Sequence, residues 1–331
     1  IAVLGYGVVG SGTVEVIEKN KEGLLKKAGQ EIEIKYILDL RDFPDSPYKD
    51  KFVKDFNVIL NDPEISVVVE VIGGIKPSYD FVKSSLLAGK SVVTSNKELV
   101  ATYGTELLEI ARGKNVNYFF EASVGGGIPI IRPMHQCLTA NNILKIAGIL
   151  NGTTNYILTK MDVQKASYND VLKEAQELGY AEADPTGDVE GFDAAYKIAT
   201  LASITFQKRI KIENVYREGI TKIRAEDMEA ANDLGYKIKL IASAHMNEEG
   251  NADVRVHPML VSKKSTLAHI DYVTNAVSLS GHPVGSITLS GPGAGEFPTA
   301  SSVVGDILAI AAEIGKSEYI LPMMRCKHNS T

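Results

Sequence analysis

The chain opens on an apolar run, IAVL, that breaks at once into the glycines of GYGVVG. Apolar positions then recur every three or four residues through TVEVIEKNKEGLLKKAG, the spacing of an amphipathic helix. EIKYILDL reads as a second strand and SVVVEVIGG as a third; the third is nearly continuous and β-branched, as suits a parallel strand covered on both faces. Next come a helix (PSYDFVKSSLLAGK), a strand (SVVTSN), a helix (KELVATYGTELLEIARGK) and a strand (VNYFFEAS). This alternation predicts an α/β fold with a Rossmann-type, doubly wound parallel sheet.

After residue 123 the pattern changes. EASVGGGIPIIRP has the Gly and Pro content of a hinge or a close-approach loop. A strand (ILKIAGIL), the polar turn NGTTN, the helices YILTKM and YNDVLKEAQELGY, the acidic loop AEADPTG and a helical stretch DVEGFDAAYK follow. Beyond residue 208, YKIKLIASAHM, ADVRVHPMLV, NAVSLSG and GSITLSG are short alternating strands. They predict a second, α+β domain whose mixed or antiparallel sheet carries helices on one face. GPGAGEFPTASSVVGDILAIAAEIG is a Gly-rich turn feeding an apolar helix that can return to the first domain. The expected division is a nucleotide-binding domain at 1–123, a substrate-binding and dimerisation domain at 124–298, and a closing helix with its tail at 299–331.

Bulk composition narrows the class. The 331 residues are 44% apolar and 23% charged, with a net charge of −6, an ordinary globular profile with no basic face that advertises nucleic acid or anionic lipid. Cys137 and Cys326 lie outside any CxxC or Cys/His spacing, which fits a reducing cytoplasm and argues against a disulfide framework or zinc site. No stretch is expected to span a membrane, since VVVEVIGGI is interrupted by Glu70, and no signal peptide is evident. The opening strand without a starting Met suggests that a few residues precede it. The six histidines show no HxxxH or HExxH spacing and read as structural or surface residues.

Gly5, Gly7 and Gly10 form GxGxxG between a strand and a helix, the context in which that motif binds a dinucleotide. The first glycine permits the tight turn, the second lets backbone approach a pyrophosphate, and the third lets helix pack on strand, with the helix N-terminus facing the phosphates. Asp39 ends the second strand, where an acid would bind ribose hydroxyls and favour NAD; Arg41, two residues on, would favour a 2′-phosphate. The two signals compete.

DVEGFDAAYK sets Asp188, Glu190 and Asp193 ahead of Lys197. Asp193 and Lys197 share a helix face, which is either an exposed i,i+4 pair of little weight or, given the apolar IATLASITF that follows, a partly buried pair able to move a proton. Lys97 follows Thr94, Ser95 and Asn96 at the end of a strand, where ligands of open α/β sheets sit and where Ser95 or Asn96 would also cap a helix. NGTTN offers a cluster of donors suited to a small-molecule site. In the acidic loop, Glu182 and Asp184 are either a solvated turn or a site for an amino group. Neither cysteine sits in a nucleophile's setting.

Six segments in order, IAVLGYGVVGSG, VVTSNKELVA, FEASVGGGIPI, GILNGTTNYIL, ELGYAEADPTGDVEGFDAAYK and GPGAGEFPTASSVVGDI, resemble homoserine dehydrogenase, over nearly the whole chain. The resemblance implies reversible NAD- or NADP-dependent interconversion of homoserine and aspartate 4-semialdehyde, on the route to threonine, isoleucine and methionine. It implies that Lys197 is the proton donor, with Lys97 a second candidate, and that Glu182 and Asp193 bind homoserine, with Asp188, Thr153 and Tyr180 beside them. It implies dinucleotide contacts from Gly5, Tyr6, Gly7, Val8, Val9, Gly10, Ile72, Gly73, Thr94, Ser95, Lys97 and Gly295. It also implies a structural monovalent cation, usually sodium, held mainly by backbone around Glu121, Val124, Gly126 and Ile128, and a homodimer joined through the second sheet. Many bacterial relatives continue into a small amino-acid-binding regulatory module, whereas here the chain ends at SEYILPMMRCKHNST. A non-catalytic NAD(P)-binding regulatory or sensor protein is the alternative reading, and one expected to lose the lysines.

Overall fold

A computed structural model describes residues 1–314; the expected tail and Cys326 lie outside the described residues. Two six-stranded sheets organise the chain. The first comprises β1 (Ala2–Leu4), β2 (Tyr36–Leu38), β3 (Phe52–Val53), β4 (Val67–Glu70), β5 (Ser91–Thr94) and β6 (Tyr118–Phe119). Its order is β3-β2-β1-β4-β5-β6 and every pairing is parallel. Strand order therefore reverses between β1 and β4, the switch point at whose carboxyl edge α/β proteins bind ligands.

Helices α1 (Val8–Lys19), α2 (Lys21–Ala28), α3 (Phe56–Leu60), α4 (Ser78–Leu87) and α5 (Lys97–Lys114) connect these strands, and α6 (Ala122–Gly125) leads out of the sheet. One apolar cluster, with Val3, Val69 and Val93, fills one face of the sheet, and another, with Leu4, Val68 and Val92, fills the other. The period of two along each strand sends alternate residues to opposite faces.

The second sheet comprises β7 (Asn142–Ile149), β8 (Tyr216–Arg217), β9 (Tyr236–Met246), β10 (Ala252–Ser262), β11 (Thr274–His282) and β12 (Gly285–Pro292). Its order is β12-β11-β7-β9-β10-β8; β8 runs parallel to β10 and the other pairings are antiparallel, so the sheet is mixed. Helices α7 (Gly152–Gln164), α8 (Tyr168–Glu177), α9 (Thr186–Val189), α10 (Phe192–Phe206) and α11 (Ala225–Asp233) accompany it, and its largest apolar cluster lies against one face. The last described helix, α12 (Glu296–Ile314), packs on α1 and α2.

Four local expectations need correction. The first long helical pattern is two helices, because Asn20 leaves helical geometry between α1 and α2. NGTTN is a turn with a helix cap, as its residues allow, but the helix starts inside it, at Gly152 rather than Tyr156: the Asn151 side chain accepts from the Thr154 N–H as the cap of α7. DVEGFDAAYK is not one helical stretch: Gly191, at φ +80°, separates α9 from α10 and leaves Asp188 on the shorter piece. Finally, α12 is long and apolar enough, by length and composition alone, to cross a membrane. It buries Val303, Ile307 and Ile310 against the first domain's core, the behaviour of a core helix in a globular protein.

Candidate active site

Asp193, in the first turn of α10, is the centre of the site. It is 6% exposed, and both of its carboxylate oxygens are engaged by lysines. Oδ2 accepts from Lys197 Nζ at 2.7 Å, one helical turn on, and Oδ1 accepts from Lys97 Nζ, which arrives from α5. Lys197 is also buried; its ammonium donates to the Leu150 carbonyl at 2.8 Å. Lys97 is nearly half exposed, so it faces the cleft while Lys197 stands behind.

Electrostatics follow from this packing. Burial pushes the Asp193 carboxyl up, but Lys197, Lys97 and the Asn151 amide outweigh it and hold the group well below the usual carboxylate range. For Lys97, burial pulls down, while the charge and hydrogen bond of Asp193, with smaller help from Asp188 and Glu182, push it above the ordinary lysine value. A triad of two ammoniums and one carboxylate carries net positive charge where an oxygen becoming negative needs it.

The acidic loop lies close by. Asn151 Nδ2 donates to Asp188 Oδ1 at 2.7 Å and to Asp193 Oδ2 at 2.9 Å, tying α7, α9 and α10 at one point. Thr153 Oγ1 donates to the Tyr180 carbonyl at 2.7 Å, and the Tyr180 ring lies 4.9 Å from that of Tyr156. Glu182 is exposed, and among the described residues its carboxylate has no hydrogen-bond partner, so it is available to a ligand. Glu190 does not join the wall of acids: its carboxylate accepts from Thr221 Oγ1 at 3.0 Å.

On the nucleotide side, Gly5 adopts φ +98°, and a Cβ at Gly10 would lie 2.0 Å from the Gly5 carbonyl oxygen. Around Gly7 there is open space instead. No side chain caps α1, so its first N–H groups face the crevice beside Val8 and Val9. These features fit a pyrophosphate at the helix N-terminus. Ile72 and Gly73 line the opposite side after β4, and Gly295 precedes α12, whose Glu296 touches Ser11 of α1. Thr94 is turned inward: the residue is wholly buried and its hydroxyl donates to Glu70, so the dinucleotide contact expected of it is not open. Ser95 follows, half-buried.

Asp39 and Arg41 do not compete; they pair. Arg41 Nη2 donates to Asp39 Oδ2 at 2.8 Å and Nε to Oδ1 at 3.0 Å, while the Tyr6 N–H takes Oδ2 at 2.8 Å. Arg41 and the backbone hydrogen bonds hold the Asp39 carboxyl well below its usual range.

At the segment between the sheets, Glu121 spends its carboxylate on the N–H groups of Ile130, Ile131 and Arg132. Val124 and Ile128 are buried, and Gly126, at φ +56°, packs its backbone on Gly293. The Gly126 carbonyl accepts from Ser302 Oγ at 2.6 Å.

The protein-family model for the homoserine dehydrogenase NAD-binding domain matches residues 5–121, and that for homoserine dehydrogenase matches residues 129–308. The chain belongs to the homoserine dehydrogenase family. It is 43% identical to the homoserine dehydrogenase of Synechocystis sp., over 99% of this chain and 77% of that one, and 43% identical to that of Bacillus subtilis, over 94% and 72%. A solved homoserine dehydrogenase from Thiobacillus denitrificans superposes with a TM-score of 0.91 at 42% identity, covering 96% of this chain and 74% of that one. A hyperthermophilic archaeal homoserine dehydrogenase, solved in complex with NADPH, gives 0.81 at 28% identity, over 94% and 97%.

As a member of this family the chain is an NAD(P)-dependent oxidoreductase, and the sensor alternative is not favoured. Sequence reasoning missed two members of the site. Asn151 had no signal beyond its place in a polar run, and the Leu150 carbonyl had none, because a main-chain acceptor carries no residue code.

Proposed function

We propose that Lys97, Asp193 and Lys197 form the proton-transfer unit for interconversion of L-homoserine and L-aspartate 4-semialdehyde. The single observation that carries this is the pair of ammonium groups meeting on one buried carboxylate beside the switch-point crevice. The glycine turn Gly5–Gly10 would hold a nicotinamide dinucleotide, which would supply the hydride chemistry when bound. In the reducing direction the aldehyde oxygen gains negative charge, and a lysine ammonium stabilises it and delivers the proton. Lys197 is the assigned donor and Lys97 the alternate; Asp193 orients both. In oxidation the same amine, without its proton, takes the hydroxyl proton of homoserine. Glu182 and Asp188 bind the substrate's α-ammonium, with Thr153 and Tyr180 shaping that end of the pocket.

The Asp39–Arg41 pair favours NADP. Both oxygens of Asp39 are already engaged, while the guanidinium is 61% exposed and free to meet a 2′-phosphate. A monovalent cation such as sodium is proposed at the loop pair of Gly126 and Gly293; the Asn275 side chain meets Gly293 through Nδ2, while its Oδ1, on the side of Gly152, is buried without a hydrogen-bond partner among the described residues. The carbonyls of Glu121, Val124, Gly126 and Ile128 would hold it in a structural role. The other face of the second sheet, on which the short 3-10 helix Thr266–His269 packs Leu267, carries Ala147, Ser243 and Ser278 in adjacent registers and suits a second copy, making a homodimer. The family context supports a cytoplasmic enzyme of threonine, isoleucine and methionine biosynthesis; a domain division near residues 123 and 298 is part of the same proposal.

The test is absorbance at 340 nm with L-homoserine and NADP⁺ or NAD⁺. We expect a rise for the wild type and a loss of about 10²- to 10⁴-fold in Lys197→Ala, with NADPH binding retained. Unchanged turnover in Lys197→Ala removes the role assigned to it.

A further inference from the structure

Glu70 ends β4 wholly buried in the otherwise apolar strand VVVE, and the chemistry described so far does not use it. Three donors converge on its carboxylate. Oε1 accepts from the N–H groups of Ile72 at 2.8 Å and Gly73 at 3.2 Å; Oε2 accepts from the Thr94 hydroxyl at 2.6 Å. Thr94 Oγ1 in turn accepts from the Asn96 N–H at 3.0 Å. The Asn96 amide donates to the Gly74 carbonyl at 2.6 Å, and its Oδ1 caps α5 by accepting from the Leu99 N–H at 3.0 Å. Lys97 is the next residue, and its ammonium reaches Asp193. A closed ring of bonds thus joins the loop 72–74, on the nucleotide side of the crevice, to the residue before Lys97.

We infer that Glu70 is a positioning residue for the reaction: it holds the nucleotide-side loop and the root of Lys97 in one register. This rests on the role proposed for Lys97. Burying a carboxylate is costly unless its acceptors are satisfied, and here every bond it makes goes to a segment that touches the site. A glutamine cannot reproduce the arrangement. If its one oxygen faces Ile72 and Gly73, its NH₂ faces Thr94 Oγ1, and the Thr94 hydroxyl proton loses its acceptor. The start of α5 then loosens while the loop keeps its bonds.

The experiment is a double-mutant cycle in the full chain, with NADPH binding read by fluorescence and turnover at 340 nm. Glu70→Gln should bind NADPH within about threefold of wild type and lose about 10- to 100-fold in kcat, the cost of displacing a reacting group by an ångström or less. In a Lys97→Ala background the same change should cost nothing further, since coupled residues are not additive. Thr94→Val, nearly isosteric, breaks the ring from the other side and should show the same loss and the same silence; it serves if Glu70→Gln does not fold. An unchanged kcat, weakened NADPH binding with kcat intact, or an equal loss in both backgrounds overturns the inference. Full turnover in Lys97→Ala alone instead overturns the role of Lys97.

Discussion

Lys97 and Asp193 lie 96 residues apart in the chain and meet in an ion pair that joins the N-terminal ends of α5 and α10. Because each end also carries other site residues, the contact sets how the nucleotide crevice and the substrate wall face one another.

Replacing Asp193 by Asn tests that arrangement. The substitution leaves Lys197 buried without its countercharge, and breaking one partner of a buried pair costs about 3–5 kcal/mol. The exposed share of Lys97 limits the loss on its side. Turnover should fall by about 10²-fold or more, and the denaturant midpoint should drop with the slope unchanged. A variant as stable and as active as the wild type rules out Asp193 as the organising group.

Dependence on pH follows from the two shifted groups. The Asp193 carboxyl is held below its unfolded value, so its contribution to stability is present above about pH 4 and is lost as pH falls through the folded value. Lys97 is raised above 10.5, so its contribution is fully present below that value and is lost as pH rises through the folded one. If Lys97 accepts the proton of homoserine, kcat/KM for oxidation should climb steadily between about pH 8 and 10 without a plateau. A plateau near neutrality assigns that step to another group.

The glycine turn makes a paired prediction. Gly10→Ala places a Cβ 2.0 Å from the Gly5 carbonyl, so the turn must open, and both stability and NADPH binding should be lost. Gly7→Ala meets nothing within 4 Å at φ −83°, so the protein should fold normally and bind NADPH more weakly, because only the bound pyrophosphate needs that space. Equal melting temperatures for Gly10→Ala and wild type would contradict the packing described.

Cofactor choice is tested at Arg41. Arg41→Ala removes a partner from both oxygens of Asp39 and the cation facing a 2′-phosphate. The ratio of kcat/KM for NADP⁺ to that for NAD⁺ should fall about tenfold or more, through loss of the former and gain of the latter. An unchanged ratio places the discrimination elsewhere.

The sequence by itself determined the two-part architecture, because hydrophobic periodicity is a local property: β-branched runs such as VVVE alternate with helical spacing wherever a parallel sheet is covered on both faces. It also determined the glycine turn, the i,i+4 placement of Asp193 and Lys197, and the family, through segments whose order survives without coordinates. Helix breaks at Asn20 and Gly191 escaped it, since a single residue's backbone angles are settled by what packs around it. Only the tertiary structure decided which lysine faces the cleft, that Asp39 and Arg41 are partners rather than rivals, and that Glu190 turns to Thr221. It alone revealed Asn151 and Glu70 as the points where separate segments are tied. The reason is physical: a hydrogen bond or ion pair between residues distant in sequence depends on where the folded backbone carries them, and residue type constrains only what can be donated or accepted once they meet.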